Sequence, residues 1–160
     1  MVTLRPFSPL DGHKEWQFIT AIPQDVNGVV NPFAGKPESE FSDWLMSRVH
    51  MANAINLQPE WVPQQYYWIE SEDKELIGIL KIRTRLTPST LDEGGHIGYF
   101  ISPEQQGKGY GTQALTQGLK KAQLKGIDLV LVTCDAENIA SKRVIEKNGG
   151  QLCPTSTDTK

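Results

Sequence analysis

Four short segments of the 160-residue chain have the mixture of apolar and polar positions that is typical of β-strands. Each is rich in β-branched and aromatic residues, a composition typical of half-buried strands. The predicted strands cover residues 2–7, 65–70, 76–86 and 95–102. Residues 127–134 are almost continuously apolar, which predicts a fifth strand, buried on both faces in a parallel pair.

Four further segments place apolar residues at helical spacing. The predicted helices cover residues 11–21, 39–54, 112–125 and 140–147. The last is followed by Asn148-Gly149-Gly150, a strong helix-ending signal. Residues 24–37 and 87–94 are predicted loops, and the first of them could border a substrate cleft. This pattern predicts an α/β (α+β) domain in which the third helix makes a right-handed crossover.

The segment between the fourth strand and the third helix contains three glycines. It reads Gln106-Gly107-Lys108-Gly109-Tyr110-Gly111, and the helix begins directly after it. A glycine-rich turn that enters a helix leaves several backbone N–H groups without partners and directs them at one place. This arrangement predicts a binding site for an anion, most simply a phosphate or pyrophosphate.

Size and charge narrow the possible classes of function. One domain is expected, over residues 1–153, with a polar tail at 154–160. Sixteen Lys and Arg oppose nineteen Asp and Glu, a net charge of −3. This balance gives no support to nucleic-acid or membrane-surface binding. No long apolar run or signal-peptide pattern is present, so a cytoplasmic location is expected. Cys134 and Cys153 lack metal-binding or disulfide spacing, so no metal is expected.

Two common phosphate motifs match the turn poorly. A P-loop requires Ser or Thr after Gly-Lys, but Gly109 follows Lys108, and Ser102 stands where its first glycine belongs. A dinucleotide fingerprint fits Gly109 to Ala114, with Asp135 as the ribose-binding acid. However, too many residues separate the strand from its first glycine, and too little chain follows Asp135 to complete a doubly wound sheet.

The segment from Gln106 to Gly111 matches the acetyl-CoA signature of the GCN5-related N-acetyltransferase (GNAT) superfamily: Gln or Arg, two residues, Gly, one residue, then Gly or Ala. The preceding residues 98–104 resemble the family's fourth strand and its exit. Residues 138–149 are similar to its second cofactor motif. Residues 94–99 and 133–135 also resemble a bacterial subgroup of uncharacterised predicted acetyltransferases. The resemblance extends well over residues 76–150 and implies the GNAT fold, a mixed central sheet whose fourth and fifth strands splay apart, with flanking helices.

The resemblance implies a set of residues that bind acetyl-CoA. The pyrophosphate would be held by the turn, that is by Gln106, Gly107, Lys108, Gly109, Tyr110 and Gly111. Lys108 would either add a charge near the phosphates or be a solvated loop lysine. The pantetheine arm would pair with the backbone of Tyr99, Phe100 and Ile101, one of whose N–H groups would stabilise the oxyanion. Asn138 would contact the arm and Ser141 would lie near the cofactor, although both residues also suit helix capping.

The implied reaction is direct attack of an amine, small molecule or peptide, on the thioester. His96 and Glu93 are the candidate bases, and His96 could equally be structural. Many relatives have a tyrosine acid at the position of Ile145, so here water, Tyr99 or Tyr110 would act, or the thiolate would leave unassisted. The rival interpretation is a catalytically silent module that binds acetyl-CoA or CoA.

The C-terminus differs from the family pattern. Relatives usually add two strands after the last helix, whereas the residues after Gly150 allow one at most. The C-terminal strands are therefore expected to be shortened. A second protomer could then cover the open edge of the sheet, because an unpaired strand edge invites pairing with another chain.

Overall fold

A computed structural model describes residues 1–23, 25–26, 29–31, 33–53, 63–86, 95–133 and 139–151, with the backbone alone at 25–26 and 29–30. The strands are β1 (Thr3–Pro6), β2 (Asp25–Val26), β3 (Val29–Val30), β4 (Gln64–Glu70), β5 (Leu76–Arg83) and β6 (Ile97–Ile101). The α-helices are α1 (His13–Thr20), α2 (Phe41–Ala52), α3 (Tyr110–Leu124) and α4 (Ile139–Lys147). Short 3-10 turns cover Glu38–Glu40 and Pro103–Gln105.

The main sheet has four strands in the order β1-β4-β5-β6, and every neighbouring pair is antiparallel. A turn at residues 71–75 joins β4 to β5, as the hairpin prediction required. The register between β5 and β6 pairs Lys81 with Gly98 and Ile79 with Phe100. Since side chains alternate between faces, Lys81, Gly98, Ile79 and Phe100 share one face of the sheet.

A separate core covers each face. On the first face, α3 packs against β5 and β6 with Ala114, Leu115 and Ala122, and α4 adds partly buried residues. On the second face, aromatic residues from α1, α2 and the preceding segments surround Trp68, which is fully buried. Burying one such large side chain stabilises the fold by roughly 1.5–3 kcal/mol. We call these the α3 face and the α2 face.

Both long C-terminal helices end in the same hydrogen-bonded glycine motif. After α3, Gly126 has φ +87° and its N–H donates to the Gln123 carbonyl at 3.0 Å. After α4, Gly149 has φ +85° and donates to the Glu146 carbonyl at 2.9 Å. A left-handed residue at this position satisfies carbonyls that the helix leaves unpaired. The predicted ends of both helices are confirmed.

The predicted strand at 127–134 is largely wrong. In its described part, residues 127–133 form only an isolated parallel bridge, between Val132 and Ile97. Ile127 is buried but Leu129 is 88% exposed, so the apolar run is not covered on both faces as expected. The other described contacts of the segment lie just before β6, where His96 and Leu131 exchange hydrogen bonds. Residues 25–30, predicted as loop, contain the small β2–β3 hairpin.

Within the described ranges, no helix combines the length and the apolar character needed to cross a membrane.

Candidate active site

Two glycines with left-handed backbone angles shape the turn between β6 and α3. Gly107 has φ +79°, and Gly109, at the N-cap of α3, has φ +82°. A Cβ at either position would meet nothing within 4 Å. The backbone angle, rather than crowding, therefore favours glycine here, because side chains disfavour this region.

The N-terminus of α3 has polarised backbone donors and no side-chain cap. No side chain caps Gly109, and the first turn carries no acidic residue. The first intrahelical bond runs from the Gln113 N–H to the Gly109 carbonyl at 3.3 Å. The N–H groups of the first turn thus have no helical partner and lie at the positive end of the helix dipole. This chemistry fits a pyrophosphate.

Side chains of the turn fasten it to β6 and shape its surface. The Gln106 side chain donates to the Ile101 carbonyl at 3.0 Å, at the end of β6. Lys108 is exposed, and its Nζ donates to Gln105 Oε1 at 3.2 Å. A Cβ on Gly111 would lie 3.7 Å from the Tyr99 ring. The turn, the start of α3 and β6 therefore form one continuous surface.

The β5–β6 register decides which backbone groups of β6 face away from β5. The Arg83 N–H donates to the His96 carbonyl at 2.7 Å, and the Ser102 N–H donates to the Ile77 carbonyl at 2.8 Å. Hydrogen-bonded positions alternate along an antiparallel ladder, so the even-numbered residues of β6, including Phe100, bond to β5. Tyr99 and Ile101 present their backbone groups to the opposite edge, which we call the outer edge of β6. Of the three residues predicted to pair with pantetheine, Phe100 therefore faces the wrong way.

The outer edge begins at a close contact with residue 131. The His96 N–H donates to the Leu131 carbonyl at 2.8 Å, and the Leu131 N–H donates to His96 Nδ1 at 2.9 Å. Gly95 has φ +57°, and a Cβ there would lie 2.5 Å from the Leu131 carbonyl oxygen. This contact fixes residue 131 beside the start of β6.

The Leu131 contact sets the chemistry of His96. Because Nδ1 accepts a hydrogen bond, the imidazole is neutral and carries its proton on Nε2. Burial lowers the pKa of His96 below its ordinary value of 6.5. The imidazole can therefore take up a proton only by giving up its bond to Leu131. Glu93, the other candidate base, lies outside the described residues.

A polar contact that the sequence did not predict joins α4 to α3. The Thr116 hydroxyl donates to Asn148 Oδ1 at 2.6 Å, and Asn148 Nδ2 donates to the Val144 carbonyl at 3.0 Å. Ser141 is partly buried in α4, and Ile145 packs against the α3-face core. Ile145 also lines a cavity of about 380 Å³ between α3, α4 and residues 128–132. Asn138 lies outside the described residues.

The α2 face carries a group of cations that sequence reasoning missed. Lys81 and Arg83 alternate along β5, so they point to the same face. Arg48 of α2 lies over the Tyr66 ring, with its Cζ 5.7 Å from the ring centroid. The only sequence signal was the alternation of Lys81 and Arg83, and it did not indicate Arg48. We call these three residues the basic cluster.

A search of the described ranges for three or more grouped His, Cys, Asp or Glu side chains that could hold a metal ion finds none.

Comparisons with known proteins identify related folds. A search of curated proteins finds no match. A spermidine/spermine N-acetyltransferase of Vibrio cholerae, solved in mutant forms, is similar in structure, with 15% identity, 93% of this chain and 79% of that chain covered, and a TM-score of 0.55. A Vibrio cholerae protein assigned as a ribosomal-protein-serine acetyltransferase has 19% identity, 97% and 84% coverage, and a TM-score of 0.58.

The family comparison covers nearly the whole chain. The acetyltransferase (GNAT) domain family matches residues 2–151. Its members are acyltransferases that generally use acetyl-CoA. The match includes the sheet, the glycine turn and both helices that follow it, so the chain belongs to the GNAT family of acetyltransferases.

Proposed function

We propose that the chain transfers the acetyl group of acetyl-CoA to a primary amine, on a small molecule or a peptide, by direct attack. The observation that carries this proposal is the open N-terminus of α3, formed by Gly107 and Gly109 and fastened to β6 by Gln106. These donors suit a pyrophosphate, and β6 ends beside them.

The glycine turn and the backbone of β6 would bind different parts of acetyl-CoA. The N–H groups at the start of α3 would hold the pyrophosphate, with Lys108 as an added charge. The pantetheine arm would lie along the outer edge of β6, where Tyr99 and Ile101 present backbone groups. Ser141 and Asn138 would contact the cofactor from the region of α4.

The reaction requires the amine nitrogen to attack the acetyl carbonyl. A bond from nitrogen to carbon forms, the carbon–sulfur bond breaks, and one amine proton finally reaches the thiolate. An N–H on the outer edge of β6, that of Tyr99 or Ile101, would stabilise the developing oxyanion. The thiolate would be protonated by water or by the hydroxyl of Tyr99 or Tyr110, because Ile145 offers no proton.

We propose that His96 is not the base that removes the proton from the amine. Its Nδ1 accepts from the Leu131 N–H, so we propose that His96 positions residue 131 and keeps the two backbones apart beyond it. Glu93 remains the proposed base, acting directly or through a water molecule. In this proposal, the proton that leaves the amine does not pass through the His96 imidazole.

A catalytically silent module that binds acetyl-CoA is the second candidate, favoured by Ile145 at the position of the usual acid. An acetylation assay on a panel of amines, read as release of the CoA thiol, separates the two functions. A thermal melt with acetyl-CoA tests binding, since a ligand at about 100 times its dissociation constant adds about 2.7 kcal/mol. Stabilisation without turnover favours the module, and no stabilisation contradicts both candidates.

Self-association is a separate proposal, motivated by a sheet edge that a second copy could extend. One Vibrio cholerae spermidine N-acetyltransferase of similar structure, with 16% identity, 92% of this chain and 78% of that chain covered and a TM-score of 0.54, is described as dodecameric. For this chain, light scattering at high concentration is the test. A mass near the 17.9 kDa of one chain contradicts the proposal.

A further inference from the structure

The basic cluster brings three cations from two elements to one place on the α2 face. Lys81 and Arg83 come from β5, and Arg48 comes from α2. Arg48 lies over the ring of Tyr66, which pairs with Lys81 in the β4–β5 register, and both arginines lower the pKa of Lys81. All three side chains are partly buried, so solvent screens this repulsion only in part.

Each cation of the basic cluster is held in position by uncharged contacts. The Lys81 side chain lies over Gly98, where its Cε is 3.1 Å from the point that a Cβ would occupy. Arg48 Cζ is 5.7 Å from the ring centroids of both Trp44 and Tyr66. Arg83 uses one N–H, on Nη1, to donate to the Gly95 carbonyl at 3.2 Å. Among the described residues, most of its donors are therefore left without a hydrogen-bond partner.

The cluster has no counter-ion in the part of the chain that the structure describes. None of Arg48, Lys81 and Arg83 forms an ion pair there with a carboxylate. Arg5, elsewhere on the same sheet, contacts Asp11 at 2.7 Å and Glu70 at 3.1 Å. Partly buried cations are normally paired in this way, because burial without a partner is unfavourable. Within the described ranges, the donors of the basic cluster are therefore available to an anion.

The cluster lies next to the proposed acetyl site. Lys81 pairs with Gly98 in the register, and Tyr99 and Ile101 follow on the same strand. Helix α3 covers the opposite face, where a Cβ on Gly111 would lie 3.7 Å from Tyr99 and 3.9 Å from Ile101. An amine that approaches the outer edge of β6 from the α2 face would pass the basic cluster.

We infer that the acceptor amine also carries an anionic oxygen group, a carboxylate or a phosphate, which the basic cluster binds. The inference rests on the proposed function for the identity of the nucleophile. Guanidinium groups match the paired oxygens of either anion, and an ammonium adds a point charge. The same cluster disfavours polycations, so spermidine is expected to be a poor acceptor for this chain. The Vibrio cholerae protein of similar structure, by contrast, is named as a spermidine/spermine N-acetyltransferase.

The first experiment compares acceptors that differ only in the anion. Glycine is compared with glycinamide, 4-aminobutanoate with its amide, and O-phosphoethanolamine with ethanolamine, with rates expressed on the unprotonated amine. We expect kcat/KM to favour at least one anionic member by about tenfold or more, because the neutral partner leaves the cations unpaired. The pair with the larger preference distinguishes carboxylate from phosphate. Equal rates, or faster reaction of the neutral members and spermidine, overturn the inference.

Variants of the basic cluster test whether its side chains cause a preference for anionic acceptors. Lys81→Met and Arg48→Gln each remove one charge and should reduce the preference several-fold. Lys121→Met is the control, because Lys121 packs its Nζ 5.3 Å from the Tyr67 ring centroid on the α3 face. The melting temperature of each variant verifies that it is folded. If Lys81→Met does not fold, Arg48→Gln alone tests the cluster. A preference that survives unchanged in a folded cluster variant overturns the inference.

A binding measurement separates this inference from the proposed function. N-acetylglycine and N-acetylglycinamide are titrated into the CoA-bound protein while NMR follows the Arg48 and Arg83 Nε–H signals and the Gly98 amide. Shifts with the carboxylate alone support the anion site even if no amine is acetylated. Turnover of amines without any such shift or preference leaves the acetyltransferase proposal intact and overturns the anion site.

Discussion

The backbone N–H of Leu131 donates to Nδ1 of His96 at 2.9 Å, while the N–H of His96 donates to the Leu131 carbonyl at 2.8 Å. His96, at the start of β6, thus hydrogen-bonds both the backbone N–H and the carbonyl of Leu131. This contact places residue 131 beside the start of β6, and we propose a structural role for His96 on that ground.

His96→Ala should destabilise the fold by about 1–3 kcal/mol, because a partly buried N–H loses its acceptor. Urea unfolding measures this change. His50→Ala, which removes a partly buried imidazole on α2, is the control and should have a smaller effect. If His96→Ala keeps full stability but abolishes acetylation and removes an ionisation from the pH profile of kcat/KM, His96 is the base after all.

The same contact predicts a dependence of stability on pH. Burial lowers the pKa of His96 in the folded chain below its ordinary value of 6.5, so the folded state binds fewer protons than the unfolded state. The contribution of His96 is present in full above about pH 6.5 and is lost as pH falls through the lowered pKa. The difference in unfolding free energy between the wild type and His96→Ala should shrink over this range. A constant difference would contradict the assigned proton position.

Gly109→Ala should weaken acetyl-CoA binding more than it weakens the fold. The alanine has φ +82° imposed on it, which is unfavourable by about 1–2 kcal/mol, and it alters the N–H groups that would hold the pyrophosphate. Gly126→Ala is the control, since Gly126 ends the same helix with φ +87° and equally open surroundings. Calorimetric titration should show reduced affinity for Gly109→Ala only. Equal affinity in both variants contradicts a pyrophosphate site at this turn.

Gly98→Ala tests the placement of Lys81 without removing any charge. The new Cβ would lie 3.1 Å from Lys81 Cε, which is the far end of a flexible side chain and can shift. Unfolding free energy should change by less than about 1 kcal/mol, while the preference for anionic acceptors falls. Gly12→Ala, with nothing within 4 Å of its Cβ, is the control. A preference unchanged in Gly98→Ala shows that the Lys81 position is unimportant.

The charge of Lys81 predicts how anion recognition varies with pH. Burial, Arg83 and Arg48 lower the pKa of Lys81 to about 8, and Tyr66 pairs with Lys81 on the same face. As pH rises through about 8, Lys81 becomes neutral and its attraction for an anion disappears. The quotient of kcat/KM for wild type over Lys81→Met, with glycine as acceptor, should fall towards one. The same acceptor in both assays cancels the ionisation of the amine. A quotient that rises with pH contradicts this role.

Local patterns predicted most of the fold and part of the site. The order of strands and helices, the glycine turn and the ends of α3 and α4 follow from residues close in sequence, such as Gly109 and Gly126. The apolar run at 127–134 predicts a strand, whereas its described part forms an isolated bridge. Composition indicates burial, but it does not show whether a segment pairs with its neighbour along its whole length. The orientation of Phe100 required the register with β5, since only pairing across strands decides which amides face outward.

By itself, the sequence determined the GNAT family, the glycine turn before α3 and the absence of a tyrosine at Ile145, because each depends on neighbouring residues. Only the tertiary structure decided that Leu131 occupies His96 Nδ1 and that Arg48 joins Lys81 and Arg83. These groups lie on separate elements, and nothing in their local sequence records the distances between them. Their protonation and charge interactions depend on those distances and on burial, both of which exist only after folding.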